Sequence, residues 1–516
     1  MLQFLYFFAL LPVISERAFA ALGPVTDLPI AISEISPDGF LRSAVLVDGV
    51  FPGPLIKANK RDDFAINVFN QLTDNSMDLV TSIHWHGIFQ RTTNYADGSP
   101  FVTQCPIVPN ESFLYKFNGE GQTGTYWYHS HLQAQYCDGL RGPLVIYDPN
   151  DPHAGLYDVD DDDTVITLAD WYHFVSTQAP LVPEPNSTLI NGQGRYPGGP
   201  PVPLAVVNVA SGLRYRLRLV SISCDPNFTF SIDGHQLTII EVDGDNVQPL
   251  VVDSLQIFAG KRNLKADRVV DNYWIRALPN LSDGDYADFT NVAILRYLEA
   301  PIEDPLSDPN VNVPTSLVPL VETNLHPLEP TPVPGEPFPG GADININLAV
   351  TLGSDYTEFL VNGFPFDSPT VPVLLQILSG AQSAADLVPT GSIYKLEPNK
   401  SVEISLPAGV ADGPHPIHLH GHAFHVVRSA GSSVYNFDDP VIRDVVSMGK
   451  TGDNVTIRFF TDNPGPWILN CHVNWHSTKG FAVVFAEDVP EVSTTDVVPD
   501  SWRSLCPAYD NFESRT

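Results

Sequence analysis

The stretch LRYRLRL, residues Leu213–Leu219, decides the fold class because apolar and basic side chains alternate along it. Large apolar side chains also recur at every second position in FAINVF at Phe64–Phe69 and in VTIRF at Val455–Phe459. Successive side chains of a β-strand point to opposite faces, so each stretch predicts a strand. Turn-forming residues are frequent, with 36 glycines and 47 prolines. Many short strands joined by turns predict an all-β sandwich or barrel.

Weaker signals suggest how the chain is divided. An apolar-Asx-Gly motif recurs at Val47–Gly49, Ile190–Gly192 and Val361–Gly363. Three similar sandwiches would produce this recurrence, although unrelated turns would look the same. The stretches 148–163, which ends in a run of four aspartates, and 301–339, rich in proline, are predicted linkers. We interpret the aspartate run as a solvated turn rather than a calcium site.

One short segment, Thr370–Ser379, is the best helical candidate, and Gly380 follows it directly. Glycine is common just after a helix end. The segment is too short to change the all-β prediction.

The composition excludes several functions. The 516 residues include 27 basic and 60 acidic side chains, a net charge of −33. Such a chain repels phosphate backbones and anionic lipid headgroups, so no nucleic acid and no membrane surface is expected as a partner. The hydrophobic fraction of 43% excludes a disordered chain. The length is enough for roughly three domains.

The N-terminal segment predicts export. Leu2–Ile14 is almost unbroken apolar sequence, and Ala18–Ala20 forms a small-x-small cleavage site. We therefore expect a signal peptide over residues 1–20, a mature start at Ala21 and an extracellular protein; the alternative is a buried N-terminal strand or an anchor. Six glycosylation sequons are compatible with export, at Asn110, Asn186, Asn227, Asn280, Asn399 and Asn454.

The spacing of the histidines is the main functional signal. His-x-His occurs at 84–86, 129–131 and 418–420. Residues two apart on a strand share a face, so each pair aims two imidazoles at one place. Imidazole suits copper, zinc, iron and nickel. Three converging pairs predict a cluster of more than one metal ion, against the alternative that all are ordinary core histidines.

Cys471 indicates which metal is bound. It lies between Asn470 and His472, so on a strand its side chain faces away from both and serves a different centre. A thiolate with two imidazoles is the blue-copper set, and His415 and His476 are the natural partners. The alternative is a buried structural thiol. The other four of the five cysteines can pair.

Longer motifs resemble the multicopper oxidases, and within them the secreted fungal laccases of the basidiomycete type. The motifs with the clustered histidines are HWHG at 84–87, GTYWYHSH at 124–131, HPIHLHGH at 415–422 and CHVNWH at 471–476. The similarity covers essentially the whole mature chain and includes CDGLRG at 137–142, DNYWIR at 271–276 and DNPGPW at 462–467.

The resemblance implies three cupredoxin-like β-sandwich domains, at residues 21–150, 151–320 and 321–516. A type 1 copper would lie in the third domain, held by His415, Cys471 and His476. Phe481 would occupy its axial position, where a phenyl ring in place of methionine favours a higher reduction potential. The implied disulfides are Cys105–Cys506 and Cys137–Cys224.

The resemblance also implies a trinuclear copper cluster between the first and third domains. The type 2 copper would be held by His84 and His418, one type 3 copper by His86, His129 and His472, and the other by His131 and His420. Asn470 stands where the family has the third histidine of that last copper, and an amide oxygen is a much weaker copper donor than imidazole. We therefore expect up to four coppers, with one type 3 copper loosely held or absent. Dioxygen reduction would then be impaired more than substrate oxidation.

The implied activity is one-electron oxidation of phenols and aromatic amines, coupled to reduction of dioxygen to water. Electrons would enter at His476 and pass through Cys471. Asp225 would accept the phenolic proton and Asp97 would relay protons near the cluster, although by sequence alone either carboxylate could belong to a turn. The alternatives are a copper-binding protein without oxidase activity, a ferroxidase and an ascorbate oxidase. A monomer is the default expectation.

Two further departures from the family pattern are local. The segment 261–267, KRNLKAD, is charged and short where the family has an alternating strand, which indicates an altered domain edge or an imperfect gene model. Asn474 and Lys479 replace commonly acidic and small residues. Lys479 beside His476 would disfavour cationic substrates, unless it is simply solvated.

Overall fold

The computed structural model describes residues 21–515 apart from 226, 259–262, 266–268, 281–289, 310–316, 355–356 and 410–413. The predicted signal peptide at 1–20 therefore lies outside the described residues. So does most of the departure at 261–267, of which only the strand Asn263–Lys265 is described. No helix in the described part of the chain has the length and apolar character needed to cross a membrane.

The first group of strands forms two four-stranded sheets. The strands are β1 Val25–Ile35, β2 Arg42–Val47, β3 Ile56–Asn59, β4 Asp63–Asn70, β5 Ile83–His86, β6 Ser112–Asn118, β7 Gly124–Ser130 and β8 Arg141–Tyr147. The strand orders are β2-β1-β4-β6 and β3-β8-β7-β5.

The second group forms three sheets. Its strands are β9 Val165–Trp171, β10 Ser187–Ile190, β11 Val206–Val209, β12 Arg214–Tyr215, β13 Arg218–Ser221, β14 Asn227–Ile232, β15 Leu237–Val242, β16 Asp245–Val252, β17 Ser254–Ile257, β18 Asn263–Lys265, β19 Asn272–Asn280 and β20 Val292–Tyr297. They pair as β10-β9-β13, β11-β20-β19-β14-β17 and β12-β18-β15-β16.

The third group contains both strands and helices. Its strands are β21 Ile344–Asn347, β22 Val350–Leu352, β23 Phe359–Val361, β24 Ile393–Leu396, β25 Ser401–Pro407, β26 Pro416–Leu419, β27 Phe424–Arg428, β28 Ile442–Arg443, β29 Val445–Ser447, β30 Asn454–Phe460, β31 Gly465–Cys471 and β32 Ala482–Glu487. They pair as β21-β25-β30-β27-β28, β22-β23 and β24-β32-β31-β26-β29. The helices are α1 Val373–Leu378, α2 Asn474–Ser477, α3 Val489–Thr495, α4 Asp500–Arg503 and α5 Leu505–Glu513.

Short 3-10 turns connect some of these elements, at Asn94–Ala96, Gln135–Asp138, Ala154–Leu156, Asp162–Thr164, Ser176–Gln178, Glu322–Asn324 and Ala384–Asp386. The described sheets each take their strands from one group only. The all-β prediction is confirmed, and the candidate helix at 370–379 contains α1, with Gly380 following at φ 110°.

The recurring Asx-Gly motif adopts the same turn in all three groups. The φ values are 51° and 71° at Asp48 and Gly49, and 48° and 72° at Asn191 and Gly192. The third copy, Asn362 with Gly363, has 51° and 88°. Positive φ at both central residues defines the type I′ turn that matches the twist of paired strands. The motif is therefore structural in each group rather than a chance recurrence.

The stretch Leu213–Leu219 does not form the single strand that its alternating pattern predicts. It forms two short strands, β12 and β13, rather than one continuous strand. Arg216 and Arg218 are only 5% and 2% exposed. Arg216 pairs with Asp151 and Glu241, and Arg218 donates twice to Asp160 at 2.7 Å. The aspartate run is therefore not fully solvated as predicted, because buried arginines bind its first member.

The C-terminal helices pack against the first group of strands. One buried cluster contains Val373 of α1, Val492 of α3 and Trp502 of α4 together with residues of β4 to β8. The Cys105–Cys506 disulfide joins the same two regions across 401 residues. The second implied disulfide, Cys137–Cys224, is also present in the structure. Both disulfides fix the first group of strands against its neighbours.

Asp496 makes the stability of this interface dependent on pH. It follows α3, is 2% exposed, and accepts a hydrogen bond of 3.1 Å from the Tyr95 amide. Burial raises the pKa of Asp496 to about 7, whereas an aspartate in the unfolded chain titrates near pH 4. The folded protein therefore holds an extra proton between these pH values, and the free energy of unfolding should fall by about 2 to 4 kcal/mol as pH rises through this range.

The variant Asp496→Asn should remove that fall, because asparagine keeps the acceptor and has no proton to lose. Thermal unfolding midpoints across this pH range should diverge from wild type as pH rises, with the variant more stable near neutrality. Asp500→Asn, which changes an exposed carboxylate on α4, is the control. Parallel pH profiles for wild type and Asp496→Asn would contradict the assignment.

Candidate metal centres

A group of one thiol and two imidazoles lies at the end of β31, and we call these three residues, His415, Cys471 and His476, the thiol centre. Cys471 is fully buried, and its Sγ lies 3.8 Å from Nδ1 of His415 and 3.8 Å from Nδ1 of His476. The two Nδ1 atoms are 3.2 Å apart. His415 precedes β26, which pairs with β31, and His476 lies on α2 directly after it. The sequence predicted this set, and the structure brings its three members together.

Aromatic rings enclose the thiol and its imidazoles. The ring of Phe481 is centred 5.3 Å from that of His415, and the Phe481 carbonyl accepts a hydrogen bond from the Cys471 amide. The ring of Phe359 on β23 lies 4.7 Å from that of His476. Phe359 could not be predicted from the sequence, because no motif lies near it. Burial lowers the pKa of His476 to about 3, with further lowering by His415 and Lys479.

A second, larger group of imidazoles lies between the first and third groups of strands. His84 and His86 come from β5, and His129 lies directly opposite His84 on β7. His418 is on β26, and His420 follows that strand. His131 and His472 follow β7 and β31. All three predicted His-x-His pairs therefore converge.

The imidazole rings of this histidine cluster are closely packed. His84 stacks on His420 and His86 on His418, each with ring centres 3.8 Å apart. His472 lies 5.0 Å from His86 and 5.4 Å from His129, and His131 lies 5.1 Å from His420. Ligand atoms lie within 4.8 Å of one another in two all-histidine groups, His84-His418-His420 and His84-His86-His129.

The hydrogen bonds of the histidine cluster suit metal binding. Nδ1 donates to a carbonyl oxygen in His84, His129 and His418, at 2.8 to 2.9 Å. The opposite nitrogen, Nε2, is buried without a hydrogen-bond partner among the described residues in His84, His86, His129, His418 and His420. A carbonyl on Nδ1 fixes the tautomer in which Nε2 carries a lone pair. The donor set therefore fits bound metal ions.

Burial also keeps these imidazoles neutral, as metal ligands must be. It lowers the pKa of His472 to about 3 and of His420 to about 4. The same cause holds the pKa well below the usual value in His86, His129, His131 and His418. Burial raises the pKa of the Cys471 thiol, so its ionisation requires a partner cation.

Two buried aspartates contact the histidine cluster. Asp97 has carboxylate oxygens 3.0 Å from Nδ1 of His420 and 3.3 Å from Nδ1 of His84, and it accepts a hydrogen bond from Ser99. Burial acts to raise the pKa of Asp97, but His420 and His84 outweigh it and hold that pKa well below its usual range. Asp444 lies close to His86 and His418. The sequence predicted Asp97 but missed Asp444, which no histidine motif adjoins.

Asn470 occupies the remaining position around the histidine cluster. It pairs with His418 in the register of β26 and β31, and it lines a cavity of about 740 Å³ together with His129, His131 and His472. Its Nδ2 donates to the Cys471 carbonyl, and its buried Oδ1 has no partner among the described residues. The side chain at this position thus offers an amide oxygen where the neighbouring positions offer imidazole nitrogen.

The six other histidines do not replace the missing imidazole. His173 pairs with Asp38, His326 with Asp439 and His422 with Glu487. His235 contacts Tyr297 and His425 contacts Thr331, whereas His153 is buried beside Asp151. Among the described residues none of these six joins a group of potential metal ligands.

Asp225 lies in a small pocket beside both centres. Asn227, Pro416 and His472 also line this pocket. The Asp225 amide donates to Asp170, and the carbonyl of the preceding Cys224 accepts a hydrogen bond from Asn474 on α2. Asp225 is therefore fixed near the elements that hold His415 and His476.

Known proteins of one family are similar to this chain over nearly its whole length. Three family models, each described as multicopper oxidase, match residues 30–151, 162–300 and 366–491. A laccase of Trametes hirsuta is 59% identical over 504 residues, which cover 96% of each chain. Laccase-2 of Pleurotus ostreatus is 57% identical over 508 residues, which cover 96% of this chain and 94% of that relative.

Solved structures of multicopper oxidases are also similar to this chain over nearly its whole length. A laccase from Botrytis aclada has a TM-score of 0.81 and 31% identity, covering 95% of this chain and 93% of that one. Fet3p, a multicopper oxidase that functions in iron import, also has a TM-score of 0.81, with 26% identity and 95% of each chain covered.

Proposed function

The chain belongs to the multicopper oxidase family, and from that premise we propose that it is a laccase, which oxidises phenols and aromatic amines and reduces dioxygen to water. One observation supports this most strongly: Cys471 of the thiol centre and His472 of the histidine cluster are adjacent residues. A single peptide bond thus joins a site suited to taking electrons from substrate to a site suited to several metal ions.

The ligand assignments form part of the proposal. His415, Cys471 and His476 would hold type 1 copper, and the Phe481 ring, centred 5.3 Å from that of His415, would lie beside it without offering a donor atom. His84 and His418 would hold type 2 copper, and His86, His129 and His472 one type 3 copper. When bound, copper supplies the one-electron redox chemistry that no amino-acid side chain here provides.

The protein residues orient these ligands and handle protons. The Asp97 carboxylate holds Nδ1 of His420, and the Asp97 backbone carbonyl accepts a hydrogen bond from Nδ1 of His84, so the Nε2 atoms of both histidines are left for the cluster. The lowered pKa of Asp97 keeps its carboxylate ionised beside them. We propose that the Asp225 carboxylate accepts the phenolic proton as the electron leaves, which avoids a high-energy radical cation. The buried rings of Phe359 and Phe481 exclude water from the thiol centre.

Asn470 sets the expected number of coppers. His131 and His420 would hold the second type 3 copper with one imidazole fewer than the cluster otherwise supplies. The Asn470 Oδ1 is a harder and weaker donor than imidazole. We propose that three coppers bind firmly and that this fourth copper is weakly held, which slows dioxygen reduction.

Membership of the multicopper oxidase family also guides our proposals for the domain boundaries, the cellular location and the partners of the protein. We propose cupredoxin-like domains at 21–150, 151–320 and 321–516, in agreement with the separate sheets and the three family matches. We propose that the protein is secreted and acts as a monomer on small phenols. Of the sequons, Asn110 and Asn399 are exposed and could carry glycans, whereas Asn227 is 5% exposed and accepts a hydrogen bond from Gln256.

The test is dioxygen consumption by the copper-loaded protein with a neutral methoxyphenol. We expect four phenols to be oxidised for each dioxygen consumed, since water formation takes four electrons. Phenol oxidation that stops once the bound copper is reduced, with no dioxygen uptake, would support a copper protein that has lost oxidase function. Faster turnover with Fe(II) than with the phenol would support a ferroxidase. The 57–59% identity to laccases does not favour that alternative.

A further inference from the structure

Lys479 lies at the surface beside the thiol centre in a position fixed by its backbone. It follows His476 by three residues, and its amide donates to the His476 carbonyl at 3.0 Å. Its own carbonyl accepts a hydrogen bond of 2.8 Å from the Phe359 amide. Because His476 belongs to the thiol centre and Phe359 packs on the His476 ring, the base of the Lys479 side chain cannot move far from that centre.

The ammonium group of Lys479 reaches across to the loop that follows β9. Nζ donates to the Leu181 carbonyl at 2.8 Å, and this contact is solvent-exposed. The side chains of Leu181 and Val182 are 65% and 69% exposed. Lys479 therefore bridges the third and second groups of strands, next to an apolar rim to which an aromatic ring could bind.

The loop after β9 is attached to α2 at its other end as well. The Trp475 indole donates to the Tyr172 hydroxyl at 3.2 Å, and the rings of these residues are centred 5.4 Å apart. Phe174 also contacts Trp475. Since Trp475 adjoins His476, these contacts hold the start of the loop against α2, which carries the imidazole where substrate electrons would enter.

The charge of Lys479 is available to a ligand. An ammonium has three N–H donors, and the Leu181 carbonyl takes one. No carboxylate lies within ion-pair distance of Nζ in the described part of the chain. The chain as a whole carries a net charge of −33, so an unneutralised cation at this rim is contrary to the overall charge. It would attract an anionic group and repel a cationic one.

We propose that Lys479 makes the substrate site selective for phenols that carry an anionic substituent, a carboxylate or a sulfonate. This inference rests on the proposed laccase function. The phenol ring would lie on the apolar rim at Leu181 and Val182, and the anionic substituent would accept hydrogen bonds from Nζ. Lys479 is thus a specificity-determining residue and takes no part in electron transfer.

The test compares two phenols of similar shape, vanillate and neutral vanillyl alcohol, at a pH where the vanillate carboxylate is ionised. In Lys479→Gln, kcat/KM for vanillate should fall about three- to fivefold relative to vanillyl alcohol, mainly through KM, as expected for one partly exposed ion pair. Added salt should reduce the wild-type preference and leave the variant unchanged, because salt screens exposed charges. Lys479→Arg should retain most of the preference.

Lys116→Gln removes an exposed lysine from β6, in a different sheet, and should leave the ratio unchanged. If both phenols lose activity equally in Lys479→Gln, the lysine only ties the loop in place and the inference is wrong. An unchanged ratio overturns it too. If the wild type oxidises neither phenol with dioxygen, the proposed function itself fails, which is a distinct result.

Discussion

Replacing Asn470 with histidine should raise the bound copper by about one ion per chain and increase turnover about tenfold or more. In the β26–β31 register Asn470 pairs with His418, so a histidine there would project toward the cluster on the same face. It would give the copper proposed at His131 and His420 a third imidazole. The cavity beside Asn470 leaves room for the larger ring.

The measurements for Asn470→His are metal content, the paramagnetic and optical spectra, and dioxygen uptake. Wild type should bind about three coppers firmly and lack the spectrum of a magnetically coupled copper pair, which the variant should gain. Asn75→His adds an imidazole to the same cavity from an exposed position and should change nothing. If the wild type already holds four coppers with a magnetically coupled pair, the proposal that Asn470 weakens the binding of one copper is wrong.

The fold could be predicted where local pattern and final environment agree. Alternation at Phe64–Phe69 matches β4, where every second side chain is buried. At Leu213–Leu219 the same pattern did not give a continuous strand. There Arg216 and Arg218 are buried because Asp151, Asp160 and Glu241, distant in sequence, neutralise them. No local pattern contains that information.

The metal centres could be predicted where, as in the strands, the local sequence pattern matches the final arrangement of the side chains. A His-x-His pair encodes its own geometry, because two residues on one face must point to one place. Phe359 and Asp444 carry no such spacing, and hydrogen bonds to residues far away in the chain, Lys479 and His418, bring them to the centres. The contact between Asp97 and His420 likewise joins residues that lie far apart in the chain. The resemblance to known oxidases, not the local sequence, suggested the role of Asp97.

Replacing Cys471 with serine should abolish the blue colour and reduce phenol oxidation by more than about 100-fold. Loss of a residue that only supports a metal ligand costs roughly 10- to 100-fold, and Cys471 is itself a proposed ligand. Serine leaves a hard, protonated oxygen between His415 and His476, where soft sulfur favours copper. The substitution is nearly isosteric in a fully buried site, so the thermal midpoint should change little compared with the activity.

The histidine cluster should survive in Cys471→Ser, because its seven imidazoles and their carbonyl partners remain. The paramagnetic signal of type 2 copper should therefore persist while the optical band of type 1 copper disappears. Phe481→Leu, which changes the ring beside His415 and keeps the thiol and both imidazoles, is the matched control and should stay blue. If Cys471→Ser remained blue or oxidised phenols at the wild-type rate, electrons would have to enter elsewhere. The peptide link from Cys471 to His472 would then have no part in catalysis.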